Sequence, residues 1–438
     1  IADNTGGGPS LLNRDFFGLS VSSPGDLDGD GVPDLAVGAR GDDTGGDTRG
    51  AVHILRLNSD GTVKSASKIA HETNGGPTLA DGDSLGRSVA AIGDVNGDGL
   101  DDLYFCQEAG IPNRLFLQNP DGSATDVAAK WGGDWIDDSR SVLLLDLDND
   151  GDQDLVVSTK AGLLLMENDS QGKFALKNAL RITDTDLLSL SAADYDNDGD
   201  LDLYVCVEFP NPVAVNDRST EFVYHDANDG GSNVLFRNDI QDADSTENAY
   251  SWPFTDVTEE VGLEMHNRRH SLAAAWEDYD NDGDLDLYVA NDYGQNCLYR
   301  NDDGRFIDVA PQQGVVDFGS GMSVSWGDFD RDGWMDLYVA NMFSSAGNRI
   351  TRQTGFRQHE QDKVRSLYSR FAKGNSLFHN KGEPSDGKDR QFHEVSGAAG
   401  VEMGRWAWSS LFADINNDGW EDLLVANGYI STEDSGDL

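Results

Sequence analysis

The chain has 438 residues, of which 79 are acidic and 32 basic, for a formal charge of −47. Such a charge repels the phosphates of nucleic acid, and a 38% hydrophobic content with nine Trp is too apolar for a disordered acidic tail. Cys106, Cys206 and Cys297 are too few for a disulfide framework, and the apolar runs are too short to span a membrane.

The chain opens on Ile with no secretory leader, the form expected of a processed or trimmed protein. Its first ten residues, IADNTGGGPS, align with IAHETNGGPT at Ile69 to Thr78, so the chain is expected to begin at the end of a fourth strand. An acidic motif then recurs. It reads DLDGDGVPDL from Asp26, DVNGDGLDDL from Asp94, DLDNDGDQDL from Asp146 and DYDNDGDLDL from Asp194. After an insertion at about 208–232 it returns as DYDNDGDLDL from Asp278 and DFDRDGWMDL from Asp328. A second insertion, about 342–374, precedes the last copy, DINNDGWEDL from Asp414. Each copy runs directly into a β-branched or aromatic strand such as DLAVGA, DLYFCQ or DLYVAN. An apolar segment precedes each, as in LAAAWE, GMSVSWG and WSSLFA, and two further strands follow, as in NCLYRN and RFIDVA.

Acid or amide at positions 1, 3, 5 and 9 with Gly at 6 is the pattern a hard cation with oxygen ligands requires. The candidate ligands are Asp26, Asp28, Asp30 and Asp34; Asp94, Asn96, Asp98 and Asp102; Asp146, Asp148, Asp150 and Asp154; and Asp194, Asp196, Asp198 and Asp202. They continue as Asp278, Asp280, Asp282 and Asp286; Asp328, Asp330, Asp332 and Asp336; and Asp414, Asn416, Asp418 and Asp422. Asp and Gly favour turns for backbone reasons alone, but that accounts for one or two copies and not for seven. An EF-hand needs Glu at position 12 inside a helix. Here that position is Val37, Phe105, Val157, Val205, Val289, Val339 and Val425, each in a strand. The expectation is up to seven calcium ions in loops between a first and a second strand. Position 7 would offer only its carbonyl, which leaves the Asp284 side chain dispensable.

Four short strands per unit, seven times, predict an all-β fold: one domain over 1–438, a seven-bladed β-propeller of four-stranded antiparallel blades. The N-terminal piece is expected to complete the last blade. In the second insertion Val364, Leu367, Tyr368 and Phe371 recur at helical spacing before Gly374, which predicts a helical insertion in blade six.

Phe17-Gly18, the loop at Asp26 and VGAR at Val37 to Arg40 resemble the FG-GAP repeat of the integrin α-subunit propeller. The units from Asp194 onward, with DLYVAN and NSLFHN, are similar to repeats of cartilage acidic protein and its bacterial relatives. The resemblance implies a secreted or cell-surface calcium-binding propeller serving adhesion, ligand binding or surface assembly, with a protein or glycan partner or self-association. Fold alone does not name the function, and an extracellular carbohydrate-active or other enzyme is the alternative. No catalytic motif is recognised.

Both insertions fall between second and third strands and so project from the rim opposite the metal loops, where a partner would bind. The links on that rim carry Arg268, Arg269, His270, Arg405 and Trp406 as candidate ligand contacts. The basic residues of the second insertion are expected to pair with the protein's own acidic surface, with an anionic ligand as the second reading. The RGD at Arg40 to Asp42 is read as a coincidence of the repeat pattern, and HNRRH at His266 to His270 as a loop feature without the Glu of a zinc helix.

Overall fold

The computed structural model describes residues 7–12, 14–107, 110–119, 123–169, 172–210, 227–241, 251–359, 361–382 and 391–427. Most of the first insertion therefore lies outside the described residues. Each unit folds as an antiparallel meander. In the fifth, Ser271–Glu277, Asp286–Asn291, Cys297–Asn301 and Phe306–Asp308 pair in sequence order. Its register sets Ala275 opposite Tyr288, Leu287 opposite Tyr299, and Tyr299 opposite Asp308.

The second strand of such a blade is covered on both faces by its neighbours, so it reads as a continuous apolar run instead of an alternating one. Asp286–Asn291 and Asp336–Asn341, both DLYVAN, are buried at every position. The core lies between blades. Tyr204, Cys206 and Leu235 of the fourth pack with Leu287, Val289 and Phe306 of the fifth, and Tyr288 and Leu298 of the fifth pack with Leu337, Val339 and Phe378 of the sixth. Two of the DLY tyrosines spend their hydroxyls on the link that follows the blade. Tyr104 donates to the Gly133 carbonyl (2.7 Å), and Tyr288 donates to that of Val315 (3.0 Å).

Among the described residues six sheets have four strands, and the last has Ala407–Ala413 and Asp422–Asn427. The expected seven four-stranded blades are thus six, followed by a two-stranded sheet. The innermost strands nevertheless follow one another around an axis, and Ala407–Ala413 neighbours both Gly321–Gly327 and Phe17–Ser22. The expected completion by the N-terminal piece, Ile1 to Ser10, falls mostly outside the described residues. Leu11 is buried in a cluster with Leu55, Leu57 and Val63 of the first blade, against which Leu424 of the last sheet also packs. Residues 1–6 and 428–438 lie outside the described residues.

Between the second and third strands of the sixth blade run two helices, Ser345–Thr351 and Asp362–Phe371. Ser344 caps the first, its side chain accepting from the Gly347 amide. No helix among the described residues is long and apolar enough to cross a membrane.

Candidate metal loops and the opposite rim

The seven loops share one local construction. The position-1 carboxylate accepts the amides of positions 5 and 6: Asp278 takes Asp282 N and Gly283 N, both at 3.0 Å, and Asp414 takes Asp418 N (3.0 Å) and Gly419 N (2.7 Å). The position-5 carboxylate accepts the amide of position 7, as Asp282 does from Asp284 (3.0 Å) and Asp418 from Trp420 (2.8 Å). Glycine at position 6 is required because the backbone there has positive φ, 97° at Gly283 and 82° at Gly419.

Position 9 does something different. Asp286 accepts Tyr279 N (3.3 Å) on one oxygen and Asn301 N, at the end of the third strand, on the other (2.8 Å). Asp336 repeats this with Phe329 N (3.2 Å) and Asn380 N (2.7 Å), and Asp202 with Tyr195 N (3.2 Å) and Asn238 N (2.8 Å). The side chain of the same asparagine reaches the preceding unit's loop: Asn301 Nδ2 donates to the Tyr195 carbonyl (2.8 Å) and Asn380 Nδ2 to that of Tyr279 (2.9 Å). Sequence reasoning missed these asparagines, although their recurrence in LFRN, LYRN and LFHN was the available signal.

At position 3, Asp148, Asp196 and Asp280 each bury one carboxylate oxygen (Oδ1) with no hydrogen-bond partner. A buried, unpartnered carboxylate oxygen is costly unless a cation meets it. In at least three loops the position 1, 3 and 9 carboxylates converge: Asp26, Asp28 and Asp34; Asp146, Asp148 and Asp154; and Asp194, Asp196 and Asp202 each place ligand oxygens within 4.8 Å of one another. Burial, offset by the two amide bonds and reinforced by the neighbouring loop acids, pushes Asp154 up to about 7, Asp202 and Asp286 to about 8, and Asp336 to about 7. Burial, then Asp282 and Asp278, pushes Asp280 up to about 6. These all-oxygen groups suit a hard divalent cation of the calcium type.

Two loops meet a basic side chain of the protein itself. Lys64 Nζ lies 2.9 Å from Asp28 and 2.6 Å from Asp30, and His379 Nε2 lies 2.9 Å from Asp330. In two others position 3 is an amide: Asn96 and Asn416 each accept the position-5 amide at 2.9 Å.

The loops are also joined to one another. Position 4, a non-glycine residue in the left-handed region in five copies, reaches the next unit. Asn149 Nδ2 donates to Asp200 (2.7 Å), Asn197 Nδ2 to Asp284 (3.0 Å) and Asn281 Nδ2 to the Gly333 carbonyl (3.3 Å). Arg331 sits over the Trp420 ring (5.1 Å), and Asn417 donates to the Gly31 carbonyl, linking the last loop to the first. The Asp284 side chain thus has work the sequence did not show, since it also accepts the Asp303 amide (2.9 Å).

These repeating loops in antiparallel sheets coincide with a known repeat. The description "FG-GAP-like repeat" matches residues 26–105, 94–157, 146–205 and 278–339, together more than half of the chain. The chain belongs to the FG-GAP-like repeat family. The matched segments of this FG-GAP-like protein contain six of its seven loops, and the loop at Asp414 falls outside them. Among solved structures, an Agrocybe aegerita lectin described as specifically recognising non-reducing terminal N-acetylglucosamine is 14% identical, with 95% of this chain and 85% of that chain covered at a TM-score of 0.43.

On the opposite rim the candidate contacts of the FG-GAP-like propeller are carried by two separate links. Arg269 and His270 are buried; Arg269 donates to the Gln295 carbonyl (3.2 Å), and His270 meets Asp229 (3.2 Å) and lies edge-on to Phe209 and Tyr293. Arg268 is exposed, its Nε donating to the Gly230 carbonyl (3.3 Å). Arg405 and Trp406 are half-buried on a separate link, bonded through the backbone to Phe343 and Met342. Of the insertion's cations, Arg370 pairs with the buried Asp317 (2.7 Å) and Lys373 with Glu402 (2.9 Å). The Asp of RGD is buried against Lys68, which removes it as an attachment site.

Proposed function

We propose that this chain is a secreted or cell-surface propeller whose loops hold calcium as a structural ion, and whose opposite rim binds a protein or glycan partner. FG-GAP propellers are commonly extracellular ligand-binding modules and are generally non-catalytic. The observation that carries the calcium reading is the buried, unpartnered position-3 oxygen of Asp148, Asp196 and Asp280, beside carboxylates already committed to amides. In each loop, positions 1, 3, 5 and 9 would hold the ion, which neutralises carboxylates that otherwise repel by up to about 4 kcal/mol per pair. Arg268, Arg405 and Trp406 are the candidate contacts that remain accessible on the binding rim.

Calorimetric titration of chelated protein with calcium tests the first half, with saturable heat expected and its absence contradicting it. For the second half, a glycan array and a capture of extracellular proteins are run with calcium-loaded protein. A hit weakened by Arg268→Ala or by the Arg405→Ala, Trp406→Ala pair supports the binding rim, and a hit indifferent to all three overturns these contacts.

A further inference from the structure

Away from the acidic loops, the fourth strand of a blade ends in a carboxylate that caps the turn after it. Asp126 accepts Ala128 N (3.1 Å), Asp256 accepts Thr258 N (3.1 Å), Asp308 accepts Ala310 N (3.1 Å) and Glu394 accepts Ser396 N (3.2 Å). The cap uses one oxygen. In the second blade the other is met by Arg114 (2.9 Å), and in the sixth Lys373 lies 3.4 Å from Glu394. In the fifth blade the side chains that meet it are an imidazole and a thiol. His266 Nδ1 lies 2.8 Å from Asp308 Oδ2, and the ligand atoms of His266, Cys297 and Asp308 fall within 4.8 Å of one another.

A nitrogen, a sulfur and a carboxylate oxygen converging on one point are the donors of a tetrahedral zinc-class site, not of a calcium site. We propose that His266, Cys297 and Asp308 form a binding site for one zinc-class divalent ion on the rim opposite the acidic loops, its fourth position open to solvent. The ion supplies the positive charge that Arg114 supplies in the second blade and Lys373 in the sixth. A protonated His266 would answer the charge alone, with the thiol left to core packing and a weak contact to the Gln295 carbonyl (4.0 Å). The donors sit on supports that hold them. Cys297 and Asp308 are on paired third and fourth strands and are almost wholly buried, and the loop carrying His266 is tied down by Tyr299, whose hydroxyl donates to the Met265 carbonyl (2.6 Å). His266 itself is 45% exposed, which gives the ion a way in. The His266 of HNRRH thus finds its partners across the sheet and not within the motif.

Cobalt(II) in an excess of calcium tests this, because thiolate ligation produces a sulfur-to-cobalt charge-transfer absorption that oxygen ligation does not. One equivalent of cobalt should give that band, and zinc should displace it. Cys297→Ser should abolish the band, His266→Ala and Asp308→Asn should each weaken binding about tenfold or more, and Cys106→Ala with Cys206→Ala should leave it intact. No band in the wild-type protein, or one that survives His266→Ala or Cys297→Ser unchanged, overturns the site. His266 lies on an exposed loop and Asn keeps the cap oxygen, so the result stands even where Cys297→Ser does not fold.

Discussion

Asp286 and Asp422 hold the same position in two copies of one loop, yet their surroundings differ. Asp286 is fully buried and clamped by amides from its loop and from the third strand. Asp422 is only half-buried, and its Oδ2 has no partner. The strand that follows is buried throughout in the fifth unit and only half-buried in the seventh, although DLYVAN and DLLVAN are nearly one sequence. The turn itself is unaffected, because the amide bonds to positions 1 and 5 form in both. Local sequence therefore builds the turn, and the completed blade builds the buried cage around it.

Calcium removal should break this comparison most severely. With a dissociation constant of about 10⁻⁴ M and about 1 mM calcium, each loop adds roughly 1.4 kcal/mol, on the order of 10 kcal/mol over all the loops. A chelator should lower the melting temperature by about 10 °C or more, and an unchanged melt would sink the structural role. Next in size, Asp286→Ala strands the Tyr279 and Asn301 amides and should cost about 2–5 kcal/mol by denaturant titration. Asp422→Ala should cost about 0.5 kcal/mol, and equal costs would erase the distinction drawn between the two units.

A smaller effect follows from the raised position-9 carboxylates. Asp154, Asp202, Asp286 and Asp336 titrate in the chelated fold at about 7 to 8, above their unfolded value. Between these values and about pH 4 the fold binds more protons than the unfolded chain, so stability falls as pH rises through that window. Chelated protein should melt higher at about pH 5 than at about pH 8, and calcium, which holds these groups ionised, should remove the trend. A chelated melt that rises with pH would contradict the assignment. Smallest is Asp284→Ala, which gives up exposed bonds from Asn197 and Asp303 at about 0.5–1 kcal/mol. Calcium binding should survive it and not survive Asp282→Ala, whose carboxylate both folds the turn and faces the ion.

The turn chemistry was legible because it is local: acids at positions 1 and 5 fold their own loop, and Gly283 must accept positive φ. The valine at position 12 was legible because a strand buried on both faces is apolar without alternation. What sequence did not show is tertiary. The asparagine of LYRN joins two units 106 residues apart, from Asn301 to Tyr195. Asp284 looked idle because its partner, Asn197, belongs to the preceding unit. Cys297 carried no signal in the sequence beyond the count of cysteines, and the fold brings His266 and Asp308 beside it. The last unit was expected to be completed by the N-terminal piece, and among the described residues it pairs two strands, Ala407–Ala413 and Asp422–Asn427.

Counting calcium by elemental analysis after equilibrium dialysis tests the central claim most directly. The account predicts several ions per chain, up to one for each of the seven loops, and a loss of one ion in Asp280→Ala. A calcium-free chain, or a count that Asp280→Ala leaves unchanged, would contradict it.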